Sequence, residues 1–409
     1  MDVRQALVTA VRCCLRGTQT GWPVDALTEQ DWESLWALAR EQQVLPMVLQ
    51  GVYTTPAFLN QPSAMRAALQ RESRTRVAYG AMRASSLAML WQQLRQAQFT
   101  PVIMKGAACR SVYAVSGVRQ SSDEDILVPS DQFWDCVAFL KEQGFTCGEA
   151  SEDAFEVGLR RSDGLYIELH RTPFAPDDPV LSGCNAWFDG LWDRCMTIDA
   201  DGAALQVMGP DDHMLLLILH AFKHLLFSGF GLRQVCDIVL WAERYGQQIH
   251  WQTIVERCRA VRALGFAAAV FQIGAQHLAL DAEKAALPPQ LLGGEDLAEV
   301  LLEDLLSGGV FGTASRSRHH SAAITHNAVS ADRTGEKPSL RQNLFPPRQA
   351  LEGRYPYLKK APWLLPLAWG SRMGSYGAEL LRRRDSSAAE TLQIARERTE
   401  LLRKLDIMD

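Results

Sequence analysis

Three consecutive acids stand in "GVRQSSDEDILVP", residues 117–129, directly before an apolar run. Alternate side chains of a strand share a face, so Asp123 and Asp125 point one way and Glu124 the other. Two carboxylates a pleat apart repel, and a divalent cation between them removes the repulsion. A third acid fits the pattern. In "LYIELHRTP", Ile167 and Leu169 take one face of a second strand while Tyr166, Glu168 and His170 take the other. An acid inside such a run is costly unless its face is wet or metal-bound. Asp123, Asp125 and Glu168 are therefore a candidate triad for two Mg²⁺ ions, the arrangement that serves in-line phosphoryl or nucleotidyl transfer.

Anion-binding groups accompany the acids. "TPVIMKG" reads as a short strand closed by Lys105 and Gly106, and a short helix, "AACRSVYAV", follows. Gly106 has no Cβ, so a triphosphate can approach the backbone at that helix N-terminus, and Lys105 can reach the β- and γ-phosphates. Arg119, four residues before Asp123, is a further phosphate candidate. "HAFKH" sets His220 and His224 at i, i+4 on one helix face with Lys223 beside them. Without an H-E-x-x-H glutamate the histidines read as packing groups, or as a helical wall of a nucleotide cleft. Arg233 and Asp237 read as an i, i+4 ion pair.

The elements that must carry these residues fall into five stretches. Residues 1–80 form a helical cap in which Thr28 is the N-cap of "LTEQDWESLWALAREQQV". Residues 81–184 hold a small mixed sheet. Ser130 is placed to cap the helix "DQFWDCVAFLKEQ", Gly144 to end it, and the runs "FTCGE", "AFEVGLRR" and "LYIELHRTP" to follow as strands. The chain beyond about 185 reads as helical to 307. Residues 308–345, rich in Gly, Ser, Arg, His and Thr, read as a flexible connector, and 346–409 as a C-terminal wrapping segment and helix.

Composition excludes several classes. With 47% hydrophobic and 22% charged residues among 409, the chain is globular, and a net charge of -5 offers no global field for nucleic acid. The nine cysteines include no C-x-x-C pair, so neither a zinc ribbon nor a disulfide framework is expected. The N-terminus lacks the apolar stretch of a signal peptide, and "HMLLLILHAF" and "APWLLPLAW" are too short or too broken to span a bilayer. A cytoplasmic protein with no membrane partner is expected.

The ordered set "VIMKGAACRSVY", "GVRQSSDEDILV", "YIELHRTPF", "LHAFKHLLFSGFGLRQVCDIVLW" and "LFPPRQALEGRYPYLKKAPWLLPLAW" resembles the uncharacterised bacterial nucleotidyltransferase family of the polymerase-β-like superfamily. The resemblance implies an α+β fold, a small mixed-sheet polymerase-β-like nucleotidyltransferase palm embedded in helical domains. It also implies Mg²⁺ ligation by Asp123, Asp125 and Glu168, with Lys105 and Gly106 at the phosphate-binding turn. One residue departs from the pattern. The middle residue of such D-x-D motifs is ordinarily apolar, and here it is Glu124; either the strand begins at Asp125 or Glu124 is itself near the metal.

The expected activity is Mg²⁺-dependent transfer of an NMP from an NTP, ATP first among them, to an acceptor with release of pyrophosphate. The acceptor, whether small molecule, peptide, protein or RNA, is not specified by the residues. Arg119, Lys223 and His224 join Lys105 and Gly106 as expected nucleotide contacts. Two alternatives stay open: a catalytically inactive binding or antitoxin-like module that keeps the palm, and a γ-phosphate kinase acting on a peptide or natural product.

Overall fold

The computed structural model describes residues 2–18, 22, 27–227, 229–308, 348–351, 355, 357–371 and 388–408. The expected connector, from 309 on, and parts of the tail motif lie outside the described residues. Five helices come first: α1 (Val3–Arg16), α2 (Glu29–Glu41), α3 (Leu45–Val52), α4 (Pro56–Leu59) and α5 (Ser63–Gln96). Thr28 does cap α2: its Oγ1 accepts from the Asp31 amide at 3.3 Å, and Asp31 Oδ2 accepts from the Thr28 amide at 2.9 Å. The long α5 anchors its C-terminal half through buried Leu87, Leu90, Trp91 and Leu94.

The sheet has six strands in the order β3-β4-β2-β1-β6-β5. These are β1 (Val102–Ile103), β2 (Glu124–Leu127), β3 (Glu156–Arg160), β4 (Tyr166–His170), β5 (Met196–Ala200) and β6 (Ala203–Val207). β2 pairs parallel with β4 and antiparallel with β1, while β1 pairs parallel with β6. Two short helices serve this sheet: α6 (Ala107–Arg110) follows β1, and α7 (Phe133–Glu142) packs on β4. Buried Ile126, Ile167 and Leu169 join it to one extended hydrophobic core.

The structure corrects three local expectations. Ser130 does not cap α7; its Oγ donates instead to the Arg171 carbonyl at 3.3 Å, and α7 begins at Phe133 without a side-chain cap. "FTCGE" contributes only an isolated bridge, Thr146 to Arg160, whereas Gly144, at φ 84°, does end α7 as expected. β5 and β6 lie where helix was expected. Asp201 and Gly202 turn that hairpin with φ of 54° and 81°, the pair of positive angles that Asp-Gly supplies.

A helical layer completes the described core: α8 (Pro210–Phe227), α9 (Leu232–Tyr245), α10 (Trp251–Ala260), α11 (Leu264–His277) and α12 (Ala298–Gly308). α8 is buried on nearly all sides, and His213 stacks on Trp241 with ring centroids 3.9 Å apart. Burial holds the His213 ring neutral, with its pKa lowered to about 3. The C-terminal helix, Ala388–Lys404, buries Arg398, whose Nη2 donates to the Leu225 carbonyl in the last turn of α8. Among the described residues, no helix is long and apolar enough to cross a membrane.

Candidate active site

Parallel pairing of β2 with β4 sets Asp125 directly opposite Glu168. His170, two residues on, shares the Glu168 face, and ligand atoms of Asp125, Glu168 and His170 lie within 4.8 Å of one another. Asp123 precedes β2, is half-buried, and lines the same cavity. The tightest ligating cluster therefore contains His170, with Asp123 at its mouth.

Burial and unequal partners separate the two facing carboxyls. Burial pushes the Glu168 carboxyl up, the charges of Asp125 and Asp123 add to that, and it ionises only at about 7. Burial acts the same way on Asp125, yet Lys105 and His170 outweigh it and hold that carboxyl below the usual range. Lys105 Nζ lies 2.7 Å from Asp125 Oδ1 and 2.6 Å from His220 Nε2. An ammonium can only donate, so this nitrogen of His220 accepts. Burial, and then Lys105, depress the pKa of His220 well below its ordinary value; His224 falls to about 3 for the same reasons. His224 Nε2 stands 3.2 Å from His220 Nε2. The pair is a neutral wall beside a charged lysine.

Glu124 resolves differently from either sequence expectation. The strand begins at Glu124 itself, and its side chain turns away from the acid cluster. There Oε2 accepts from the Ala107 amide at 2.8 Å and Oε1 pairs with Arg110 at 2.6 Å. The N-terminus of α6, expected to receive phosphate, is thus already met at Ala107 by a protein carboxylate. Gly106 has φ 56° and ψ -108°, and a Cβ there would stand 1.9 Å from Glu124 Oε2. Its lack of a side chain admits Glu124 to the turn.

Arg119 is also committed within the protein. Its Nε and Nη2 reach Asp237 at 3.2 and 2.7 Å, and Nη1 donates to Ser121 Oγ at 2.7 Å. Tyr113 donates to the same Asp237 at 2.7 Å. The expected Arg233–Asp237 pair is therefore replaced: Arg233 donates instead to the Gln120 carbonyl at 2.5 Å and to Gln43 at 3.2 Å. Many of these groups converge on one place. Lys105, Gly106, Arg119, Asp123, Asp125 and Glu168 line a cavity of about 380 Å³, and Lys223 and His224 of α8 close its helical side. Arg233, read in the sequence only as half of an ion pair, lines it too.

Two acids in cross-strand register, with partial burial and then the neighbouring charges raising the Glu168 carboxyl to about 7, fit a hard divalent cation. Asp125 and Glu168 would hold it, with Asp123 or His170 as the further donor. A mixed sheet with facing acids, and Lys223 and Arg233 on the helical side, fits the nucleotidyltransferase class. Residues 28–278 match the model of the uncharacterised nucleotidyltransferase family, and the chain belongs to that family. It is a nucleotidyltransferase. Among solved structures, an antigenic nucleotidyltransferase-like protein from Paracoccidioides brasiliensis is similar at 15% identity and a TM-score of 0.30, over 45% of this chain and 90% of that one. Among curated proteins, none matches.

Proposed function

We propose that this cavity transfers a nucleoside monophosphate from an NTP, ATP first, to a nucleophilic acceptor, releasing pyrophosphate. The observation that carries the reading is the Asp125–Glu168 register with Lys105 beside it and Lys223 and Arg233 lining the same cavity. Mg²⁺ on the acids would neutralise charge developing on the transferred phosphoryl group. Lys105, released from Asp125, supplies a donor to the β- or γ-phosphate, and neutral His220 steers its ammonium. Lys223 and Arg233 add positive charge on the helical side. With Glu168 on the cation, the metal itself would lower the pKa of a bound acceptor hydroxyl and so ease loss of its proton.

ATP labelled at the α-phosphate tests the reading. Label joining an acceptor with release of pyrophosphate is the expected result, whereas label retained in ADP would replace the reading with a kinase. Lys105→Met should weaken ATP binding by roughly tenfold to a hundredfold, as one charge-assisted hydrogen bond is worth about 1.5–3 kcal/mol. Unchanged affinity in calorimetry would confine Lys105 to its role beside Asp125.

The cation should also show a pH dependence of defined sign. Because the folded-state pKa of Glu168 is raised, its contribution to metal-free stability is present below the unfolded value, about 4.3, and is lost as pH rises through about 7. Metal binding needs the ionised form. The Mg²⁺-induced rise in melting temperature should therefore grow between about pH 6 and about pH 8. A rise that is flat or shrinks over that window would remove Glu168 from the ligand set.

A further inference from the structure

Arg83 of α5 is only 6% exposed. Its Nη1 donates to the Ser121 carbonyl at 2.6 Å, while Nε and Nη2 find no hydrogen-bond partner among the described residues. A guanidinium cannot shed its proton, so two dry donors are a standing cost that an arriving acceptor would relieve. The Tyr79 ring, 5.8 Å from the guanidinium carbon, covers it without offering such an acceptor.

Arg83 borders a cavity of about 70 Å³ between α5 and the loop at 116–121, shared with Arg76, Arg110 and Arg119. The other cations there have carboxylates. Arg76 pairs with Glu72 at 2.9 Å, Arg119 with Asp237 at 2.7 Å, and Arg110 with Glu124 at 2.6 Å and Asp201 at 3.1 Å. Arg83 is the one left uncompensated among the described residues of this cavity. One water needs only about 10–15 Å³ of such space, so about 70 Å³ admits a small oxyanion and is far smaller than the neighbouring cavity of about 380 Å³. The approach is basic as well: α5 carries Arg66, Arg71, Arg74, Arg76, Arg83 and Arg95 against Glu72, in a chain of net charge -5. Arg119 and Ser121 line this cavity and the nucleotide cavity alike.

We propose that this cavity is an anion-recognition site that takes a single phosphate-like group on the unpaired nitrogens of Arg83, and that the acceptor carries this group to the edge of the nucleotide cavity. The second half of the proposal rests on the transferase reading, whereas the anion site stands without it. Calorimetry with inorganic phosphate on the full chain is the direct test. Arg83→Met should weaken phosphate binding at least tenfold, leave ATP affinity unchanged, and melt at or above the unsubstituted protein in phosphate-free buffer. Equal phosphate affinity in the two proteins, or a lower melting temperature of the variant without phosphate, would overturn the site and make Arg83 a structural anchor.

Probe acceptors separate the sources of the anion. With labelled ATP, glycerol phosphate should be preferred to glycerol by the unsubstituted protein, and the preference should vanish in Arg83→Met. Free phosphate that instead speeds transfer to glycerol would overturn the acceptor assignment and mark an effector. Arg83-dependent phosphate binding without any turnover of ATP would sink the transferase reading and leave the anion site standing.

Discussion

Glu168→Gln is expected to lower kcat/KM by about a thousandfold, ~4 kcal/mol of barrier, while the metal-free protein melts at or above the unsubstituted one. The two effects have one cause. Glu168 is half-buried beside Asp125 and Asp123, so its ionised form is strained without a cation and valuable with one. The amide keeps the volume and removes the repulsion. Asp125 would answer differently. Lys105 sits 2.7 Å away and His170 3.5 Å away, so Asp125→Asn should end transfer and also destabilise the metal-free protein by leaving the lysine without its partner. Pyrophosphate release and a melting curve on each variant check the pair. A Glu168→Gln protein that keeps its turnover, or that melts well below its parent without metal, would show that the acid is not there for a cation.

The second large effect is on stability. Gly106→Val should destabilise the fold by roughly 3–5 kcal/mol, combining a backbone conformation that side chains avoid with a clash in a packed turn. The added Cβ would meet Glu124 Oε2 at 1.9 Å and the Asp123 carbonyl at 3.3 Å. Relief by moving Glu124 would break its bonds to Ala107 and Arg110, so no cheap escape exists. Urea unfolding should show a lower midpoint at an unchanged slope. A variant as stable as its parent, weakened only in ATP binding, would restore the simpler view of Gly106 as an opening for phosphate.

Much of the site was legible because its residues obey short-range rules. Period-two alternation placed Glu168 and His170 on one face, and "DED" before "ILV" marked β2. The role of Glu124 was not legible, since it depends on Arg110 and Ala107, whose approach is set by the path of the chain between β1 and β2. Likewise Arg119 and Asp237 are 118 positions apart, and i, i+4 spacing favoured the wrong arginine. The β5–β6 hairpin is another case. Asp201–Gly202 is a strong turn signal, but the strands around it are only five residues each, and Met196, Ala200, Ala203, Ala204 and Leu205 are residues that suit a helix as well. Arg83 left only a density of arginines in α5, because an unpaired buried charge is a property of packing.

Arg398 gives the order of biosynthesis a role. Its bond to the Leu225 carbonyl closes a span of 173 residues, and Leu225 directly follows His224 in the last turn of α8. A ribosome adding about 5–20 residues per second needs roughly 9–35 s to cover that span. Through that interval the acids, the lysine turn and most of the cavity wall have been made, while an end of the helix that completes the wall still lacks its partner. The nascent protein thus gains this bond at the end of α8 late, well after the sheet has been synthesised.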